Sequence, residues 1–172
     1  MQQITPYLKT ARSVARAEFV AQHPGYFFIK RPRAGVSAAK QEGSFGFNTV
    51  AAKVDTDPFA DEWRIVPVVK REGNPFPERL TVGRATNSDL LLRVPFVSKV
   101  HAHVIREPDG SFSIHDNNPS NRTFLRSRVL EAGATEKLTV GDSVAFGSLE
   151  FEFVDSPRLY DILVAECRID GR

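Results

Sequence analysis

The sequence has few residues of several kinds, and each shortage excludes a class of protein. Its single cysteine, Cys167, cannot form an intrachain disulfide, which fits a reducing compartment better than a secreted scaffold. No apolar run approaches the ~18 residues that a membrane-spanning helix needs. The N-terminal residues lack a continuous apolar segment with a small-residue cleavage site, so we expect no secretory signal. These shortages favour a cytoplasmic protein with no membrane partner.

An excess of charge of either sign is also missing. The 172 residues contain 23 Lys and Arg against 21 Asp and Glu, a formal net charge of +2. Residues 63–172 balance at 15 basic and 15 acidic side chains. This balance excludes a strongly basic chain that coats nucleic acid, and it excludes an acidic disordered chain. We expect no nucleic-acid partner, and any anionic ligand must be recognised through local geometry.

Catalytic and metal-binding patterns are incomplete. Ser98, His101 and Asp116 have the residue types of a hydrolase triad, but no Gly-x-Ser-x-Gly turn surrounds the serine. His101 and His103 would share one face of a strand with His115 as a third ligand, yet no cysteine or glutamate completes a metal site. No glycine-rich phosphate loop occurs. We therefore expect a protein that is not an enzyme, with no catalytic residue, no metal and no cofactor.

Short apolar or alternating runs recur every eight to twelve residues from Trp63 onward, separated by turn residues. Asp109-Gly110, between two such runs, is a strong hairpin signal. This spacing predicts an all-β fold over residues 63–155, an antiparallel β-sandwich or barrel. The apolar spacing after Pro157 predicts a short helix, so residues 156–172 form a C-terminal helical tail.

Residues 1–62 have a different pattern and are interpreted as an N-terminal helix followed by a Phe-rich arm. Four apolar residues recur at helical spacing: Leu8, Ala11, Ala15 and Phe19. Thr5 can cap this helix, and residues 23–25 end it. The basic residues Lys30, Arg31 and Arg33 are expected to be a solvated flank. Five large apolar residues follow within 34–62: Phe45, Phe47, Val50, Val54 and Phe59. A free linker has little use for them, so part of the arm should fold back onto the next domain or a partner.

Four sequence elements follow one another in a fixed order within the β region. Gly83-Arg84 ends one predicted strand, and Ser98 lies three residues before His101 at the start of the next. Asp116 is followed by residues 120–123, Ser-Asn-Arg-Thr. A late Gly-Asp at 141–142 and a Phe-Gly at 146–147 complete the order. Together these elements resemble the forkhead-associated (FHA) domain family, over about residues 63–155.

The resemblance implies an FHA-like (SMAD/FHA) β-sandwich that binds phosphothreonine peptides with loops at one end. It assigns phosphopeptide binding to five residues: Arg84, Ser98, Lys99, Ser120 and Asn121. It assigns structural roles to His101 and Gly83. Elementary chemistry fits these roles, because a phosphate carries about −1.5 to −2 charges and arginine offers a rigid fork of donors.

One position departs from the family pattern, where glycine is usual and this chain has Arg122. If the position requires a positive φ, a non-glycine residue is strained by roughly 1 kcal/mol. Arg122 would either add positive charge near the phosphate or block the peptide. Arg122 and Thr123 are therefore treated as possible modulators.

The resulting functional hypothesis is a signalling module that docks a phosphothreonine written by an upstream Ser/Thr kinase. The ligand would lie on a partner protein or on the chain's own phosphorylated arm, where Thr56 stands in an acidic stretch. The alternative is a phospho-independent FHA-like scaffold in a larger assembly, with the arm as its working surface.

Overall fold

The structure is a computed structural model that describes residues 1–32 and 57–169. The predictions made for Arg33, Phe45, Phe47, Val50, Val54 and Thr56 lie outside these residues. Within the described ranges the elements follow in chain order: β1 (Gln2–Gln3), α1 (Thr5–Ser13), α2 (Arg16–Gln22), β2 (Tyr26–Lys30), β3 (Arg64–Pro67), β4 (Arg79–Gly83), β5 (Leu90–Leu91), β6 (Ala102–Arg106), β7 (Phe112–Asp116), β8 (Thr123–Leu125), β9 (Arg128–Val129), β10 (Thr135–Leu138), β11 (Ser143–Phe146), β12 (Leu149–Asp155) and α3 (Ser156–Ile169).

The strands form two sheets that pack face to face. The larger has the order β1-β3-β2-β12-β11-β8-β9, and the smaller has the order β10-β7-β6-β4-β5. Neighbouring strands are antiparallel except for the parallel pair β4 and β5. Side chains from both sheets fill the space between them: Phe28, Val82, Val104, Ile114, Phe146, Phe151 and Phe153. This arrangement confirms the predicted all-β sandwich, and α3 confirms the predicted C-terminal helix.

Strand β2 lies in the middle of the larger sheet, between β3 and β12. Phe28 pairs with Val66 on one side and with Phe153 on the other. The sandwich therefore begins before residue 63, where sequence analysis placed its start. The reason is that β2 is buried on both faces: Phe28 points into the sandwich, while Phe27 and Ile29 point to the opposite side. Such a strand has no polar alternation to identify it.

The three helices cover the outer face of the larger sheet and form a second core with it. Buried side chains from both layers meet there: Phe19, Phe27, Ile29, Ile65, Leu159 and Leu163. The predicted N-terminal helix is two helices, because Val14 and Ala15 have extended backbone with ψ of 159° at both. Thr5 begins α1 but does not cap it, since the N-cap residue is Ile4 and makes no side-chain capping bond.

The prediction of a solvated flank is wrong for Lys30, which is buried. Its ammonium lies 2.9 Å from the Asp57 carboxylate and donates a hydrogen bond of 2.6 Å to the Phe59 carbonyl. Phe59 packs against the sandwich core and beneath the Arg64 guanidinium. The C-terminal end of the arm thus does fold back onto the sandwich. Over the described residues, no helix has the length and apolar character to cross a membrane.

Candidate functional site

Three loops meet at one end of the sandwich, which we call the loop end. They are residues 84–89 after β4, residues 92–101 before β6, and residues 117–122 between β7 and β8. Backbone hydrogen bonds join the first loop to the second: the Arg84 N–H donates to the Ser98 carbonyl at 3.0 Å, and the Ala85 N–H donates to the Lys99 carbonyl at 3.2 Å. A backbone hydrogen bond therefore holds Arg84 directly beside Ser98.

Gly83 permits this close approach of the two loops. A Cβ atom at Gly83 would lie 2.1 Å from the Lys99 carbonyl oxygen and 3.0 Å from the Ser98 carbonyl oxygen. Atoms of backbone cannot move aside as a flexible side chain can, so only glycine fits. The glycine before Arg84 is needed for space, because its own φ is not positive.

The third loop is joined to the second through the two predicted ligand residues that it contains. The Ser120 N–H donates to the Ser98 hydroxyl oxygen at 3.4 Å. The Asn121 side-chain amide donates to the Phe96 carbonyl at 2.7 Å. The Asn121 Oδ1 oxygen and its second amide hydrogen remain available for a ligand. Ser120 is exposed and Ser98 half-buried, so both hydroxyls can reach a molecule bound at the loop end.

His101 joins the second and third loops through hydrogen bonds from its buried ring. It is fully buried, and its Nε2 donates to the Arg122 carbonyl at 3.0 Å while its Nδ1 accepts from the Ser98 N–H at 3.3 Å. This pattern requires the neutral imidazole with the proton on Nε2. Burial lowers the pKa of His101, which keeps the ring neutral, although the Arg122 carbonyl and the Asp116 charge oppose the shift. The predicted structural role fits this geometry.

His103 and His115 face each other across β6 and β7 on the other side of the smaller sheet, with ring centroids 6.1 Å apart. Each uses its Nδ1 in a hydrogen bond, His103 with Asn117 and His115 with Thr135. No group of three or more potential metal ligands occurs among residues 1–32 and 57–169.

Arg84, Lys99 and Arg122 bring positive charge to the loop end. All three side chains are exposed, and none makes a hydrogen bond or ion pair with another residue that the structure describes. The carboxylates of the same region are buried: Asp89 is 8% exposed and Asp116 is fully buried. The five residues that the sequence predicts for phosphopeptide binding thus lie on three neighbouring loops, and two of the three cations are among them.

The amino-acid sequence of this region matches a known family. Residues 80–147 match the family model of the FHA domain. They form an FHA domain. The match runs from β4 to Gly147 and includes the three loops of the loop end, while β1–β3, β12 and the helices lie outside it. The family predicted from the order of the motifs is confirmed, and FHA domains are recognition modules.

A curated relative of this FHA domain is the ABC transporter ATP-binding/permease protein Rv1747 of Mycobacterium tuberculosis (strain ATCC 25618 / H37Rv). It is 30% identical over 79 residues, which are 46% of this chain and 9% of that transporter. The chain therefore spans less than a tenth of the length of this relative.

Solved structures similar to this chain include other FHA domains. The FHA domain of CT664 from Chlamydia trachomatis is 20% identical with a TM-score of 0.48, covering 76% of this chain and 98% of that one. The N-terminal FHA domain of S. cerevisiae Rad53p, solved with a phosphothreonine peptide, is 19% identical with a TM-score of 0.47, covering 58% and 90%. Mycobacterium tuberculosis EmbR, in complex with a low affinity phosphopeptide, is 23% identical with a TM-score of 0.42, covering 46% and 20%.

The backbone of Arg122 has the conformation that explains why glycine is usual at this position in the family. Its φ is 55°, in the left-handed region. The Arg122 carbonyl accepts the bond from His101 and a second bond of 3.0 Å from the Gly147 N–H. The backbone is therefore held in the glycine-like conformation although the residue is arginine. Thr123, the other suggested modulator, is fully buried, so its side chain does not face a ligand.

Arg71 and Asp89 hold the Arg84 loop of the FHA domain in place. Asp89 accepts hydrogen bonds from the Arg71 N–H at 2.8 Å and the Thr81 N–H at 2.7 Å. The Arg71 guanidinium donates to the Thr86 and Ser88 carbonyls of the loop. Burial alone would raise the pKa of Asp89, but the hydrogen bonds it accepts lower it overall. Arg71 could not be recognised from the sequence, since its side chain bonds to backbone carbonyls and no motif includes it.

Proposed function

We propose that the loop end binds a phosphothreonine-containing segment of a partner protein. The observation that supports this most strongly is the convergence of Arg84, Ser98, Lys99, Ser120 and Asn121 on contiguous loops. No carboxylate among the described residues pairs with Arg84, Lys99 or Arg122, so these cations are available to a negatively charged ligand. FHA homologues bind phosphothreonine peptides, as the complex of Rad53p illustrates.

Each side chain has a distinct part in the proposed complex. Arg84 offers paired N–H donors to two phosphate oxygens. The Ser98 oxygen already accepts from the Ser120 N–H, so its hydroxyl hydrogen is available to donate to the phosphate. Lys99 adds a point charge, and Asn121 pairs with the peptide main chain through Oδ1 and its second amide hydrogen. The His101 bonds to both loops hold these donors in place before the ligand arrives.

The number of such contacts predicts reversible binding. Charge-assisted hydrogen bonds contribute roughly 1.5–3 kcal/mol each. After the cost of ordering the peptide, two or three of them give micromolar affinity at best. We therefore infer a cytoplasmic, non-enzymatic recognition module whose partner is marked by a Ser/Thr kinase. A phosphorylated Thr56 of the arm is a second proposed source of the ligand, and that residue lies outside the described ones.

The test is a titration of matched phosphothreonine and unphosphorylated peptide libraries against three proteins. The proteins are the wild type, Arg84→Gln, and the control Arg106→Gln, which removes an exposed arginine from the far end of β6. We expect the wild type and the control to bind only the phosphorylated library, and Arg84→Gln to lose most of this binding. Equal binding of both libraries by the wild type would instead support the phospho-independent scaffold.

A further inference from the structure

The charges at the loop end exceed what one phosphothreonine would neutralise. In the loops 84–89, 92–101 and 117–122, four exposed side chains are cationic: Arg84, Arg93, Lys99 and Arg122. Arg93 lines a separate cavity with Met1, Phe59 and Arg64, so the other three are counted toward the ligand. The one carboxylate of these loops, Asp89, is buried and hydrogen-bonded. The phosphate brings about −1.5 to −2 charges. Glu150, an exposed carboxylate beyond the Gly147 turn, lines a different cavity beside Lys30 and Asp57. About one positive charge is therefore left over when the phosphate is bound.

Among the cations of the loop end, Arg122 has a backbone conformation that costs free energy. Its left-handed backbone, with φ of 55°, disfavours any residue with a Cβ relative to glycine. Its carbonyl is fixed by the His101 and Gly147 bonds, so the backbone does not relax to a more favourable conformation. No partner for its guanidinium exists among residues 1–32 and 57–169, so no internal interaction offsets the strain.

Arg122 is exposed and lies in the same loop as two of the residues predicted to bind the phosphopeptide. It follows Ser120 and Asn121 directly in the same loop, and it shares the His101 side chain with Ser98. Its backbone N–H donates to the Pro119 carbonyl, which closes the loop behind it. Its exposed side chain starts one residue from Asn121, close enough to reach the residues that would flank a phosphothreonine bound there.

We propose that Arg122 is a specificity residue, and that it selects phosphothreonine segments with a second anionic group next to the phosphothreonine. This inference rests on the proposed function. The second anion is recognised by the same chemistry whether it is an Asp or Glu carboxylate or a second phosphate, since a guanidinium pairs with both. A neutral flanking residue would leave the Arg122 charge uncompensated.

The test uses phosphothreonine peptides that differ only in the charge of one flanking residue. Each of the three positions before and after the phosphothreonine carries Asp, Asn, Ser or phosphoserine in turn, and affinities are measured by fluorescence anisotropy at low and physiological salt. The wild type should prefer Asp over Asn about threefold to fivefold for at least one position, the upper part of the range of an exposed ion pair. Phosphoserine should exceed Ser by more than Asp exceeds Asn, and salt should reduce both preferences.

Three variants separate specificity from general charge and from folding. Arg122→Gln should abolish the preference for the anionic peptide while still requiring phosphothreonine. Arg122→Gly should do the same, and its backbone is free of strain at the left-handed φ of this position. Arg106→Gln, which removes an equal charge at the other end of β6, should keep the wild-type preference.

The outcomes distinguish this inference from the proposed function. Retained discrimination in Arg122→Gln, an equal weakening of all peptides by that substitution, or no discrimination by the wild type would each overturn the specificity role. In those cases binding that still depends on phosphothreonine leaves the proposed function intact. Equal binding of phosphorylated and unphosphorylated peptides by the wild type would overturn the specificity role and the proposed function together.

Discussion

Replacing Gly83 by alanine tests the claim that close backbone packing builds the loop end. The added Cβ would lie 2.1 Å from the Lys99 carbonyl oxygen, far inside an ordinary contact, so the two loops must separate by more than 1 Å. Forced overpacking of this kind costs typically 1–3 kcal/mol, and a clash with backbone belongs at the upper end. We expect Gly83→Ala to lower the free energy of unfolding by about 3 kcal/mol. The folded fraction should also bind phosphothreonine peptide more weakly, because Ser98 moves with Lys99.

The matched control is Gly110→Ala, at a hairpin turn. Gly110 has a φ of +83° but no atom within 4 Å of the added Cβ, so only the backbone strain applies. That strain costs about 1 kcal/mol and should leave peptide affinity unchanged. Urea denaturation measures both free energies. A Gly83→Ala protein within about 0.5 kcal/mol of the wild type, the range of an ordinary surface substitution, would refute the packing argument.

Three further predictions concern stability. Asp57→Ala should lower the free energy of unfolding by about 3–5 kcal/mol, because it leaves the buried Lys30 charge without its partner, and a loss below about 1 kcal/mol would contradict the burial of this pair. Arg122→Gly should raise stability by about 1 kcal/mol in thermal or urea unfolding, since glycine tolerates the positive φ, whereas a loss would contradict the strain. Burial lowers the pKa of His101 below its usual 6.5, so the unfolded chain takes up the proton first. The His101 contribution to stability is therefore constant above pH 6.5 and is lost as pH decreases below it, so the fall in stability with decreasing pH should be smaller in His101→Gln. An identical pH dependence in that variant would exclude His101 as its source.

The strands of the FHA domain and the residues that meet at its loop end could be predicted because their signals are local. Alternating runs and turn residues mark β4, β6, β7 and β11 within a few residues each. The motifs that contain Arg84, Ser98 and Asn121 lie in order along the chain, and the fold needs only to bring three loops together to assemble them. Arg84, Ser98 and Asn121 are therefore recognisable without any knowledge of long-range contacts.

The features that sequence analysis missed depend on contacts far apart in the chain. Strand β2 finds its partner β12 more than 120 residues later, and its unbroken apolar run gives no strand period to read. Lys30 looks like part of a basic flank, and only the fold reveals the carboxylate of Asp57 beside it. Val14 and Ala15 are compatible with a helix, so the break there is set by packing of α1 and α2 against α3.

Arg122 could be predicted only in part from the sequence. The order of motifs identifies the position and the usual residue, so the sequence predicts that strain follows if φ is positive. The value of 55° meets that condition. What the sequence could not supply is the pair of hydrogen bonds from His101 and Gly147 that hold the carbonyl, since they come from the loop before β6 and from the turn after β11.

The most direct measurement of the central claim is a map of amide chemical shifts as the ¹⁵N-labelled protein is titrated with a phosphothreonine peptide and its unphosphorylated counterpart. The account predicts that the backbone amides of Arg84, Ser98 and Ser120 and the side-chain amide of Asn121 shift most, and only with the phosphorylated peptide. Equal shifts with both peptides, or the largest shifts on the helices that cover the larger sheet, would contradict it.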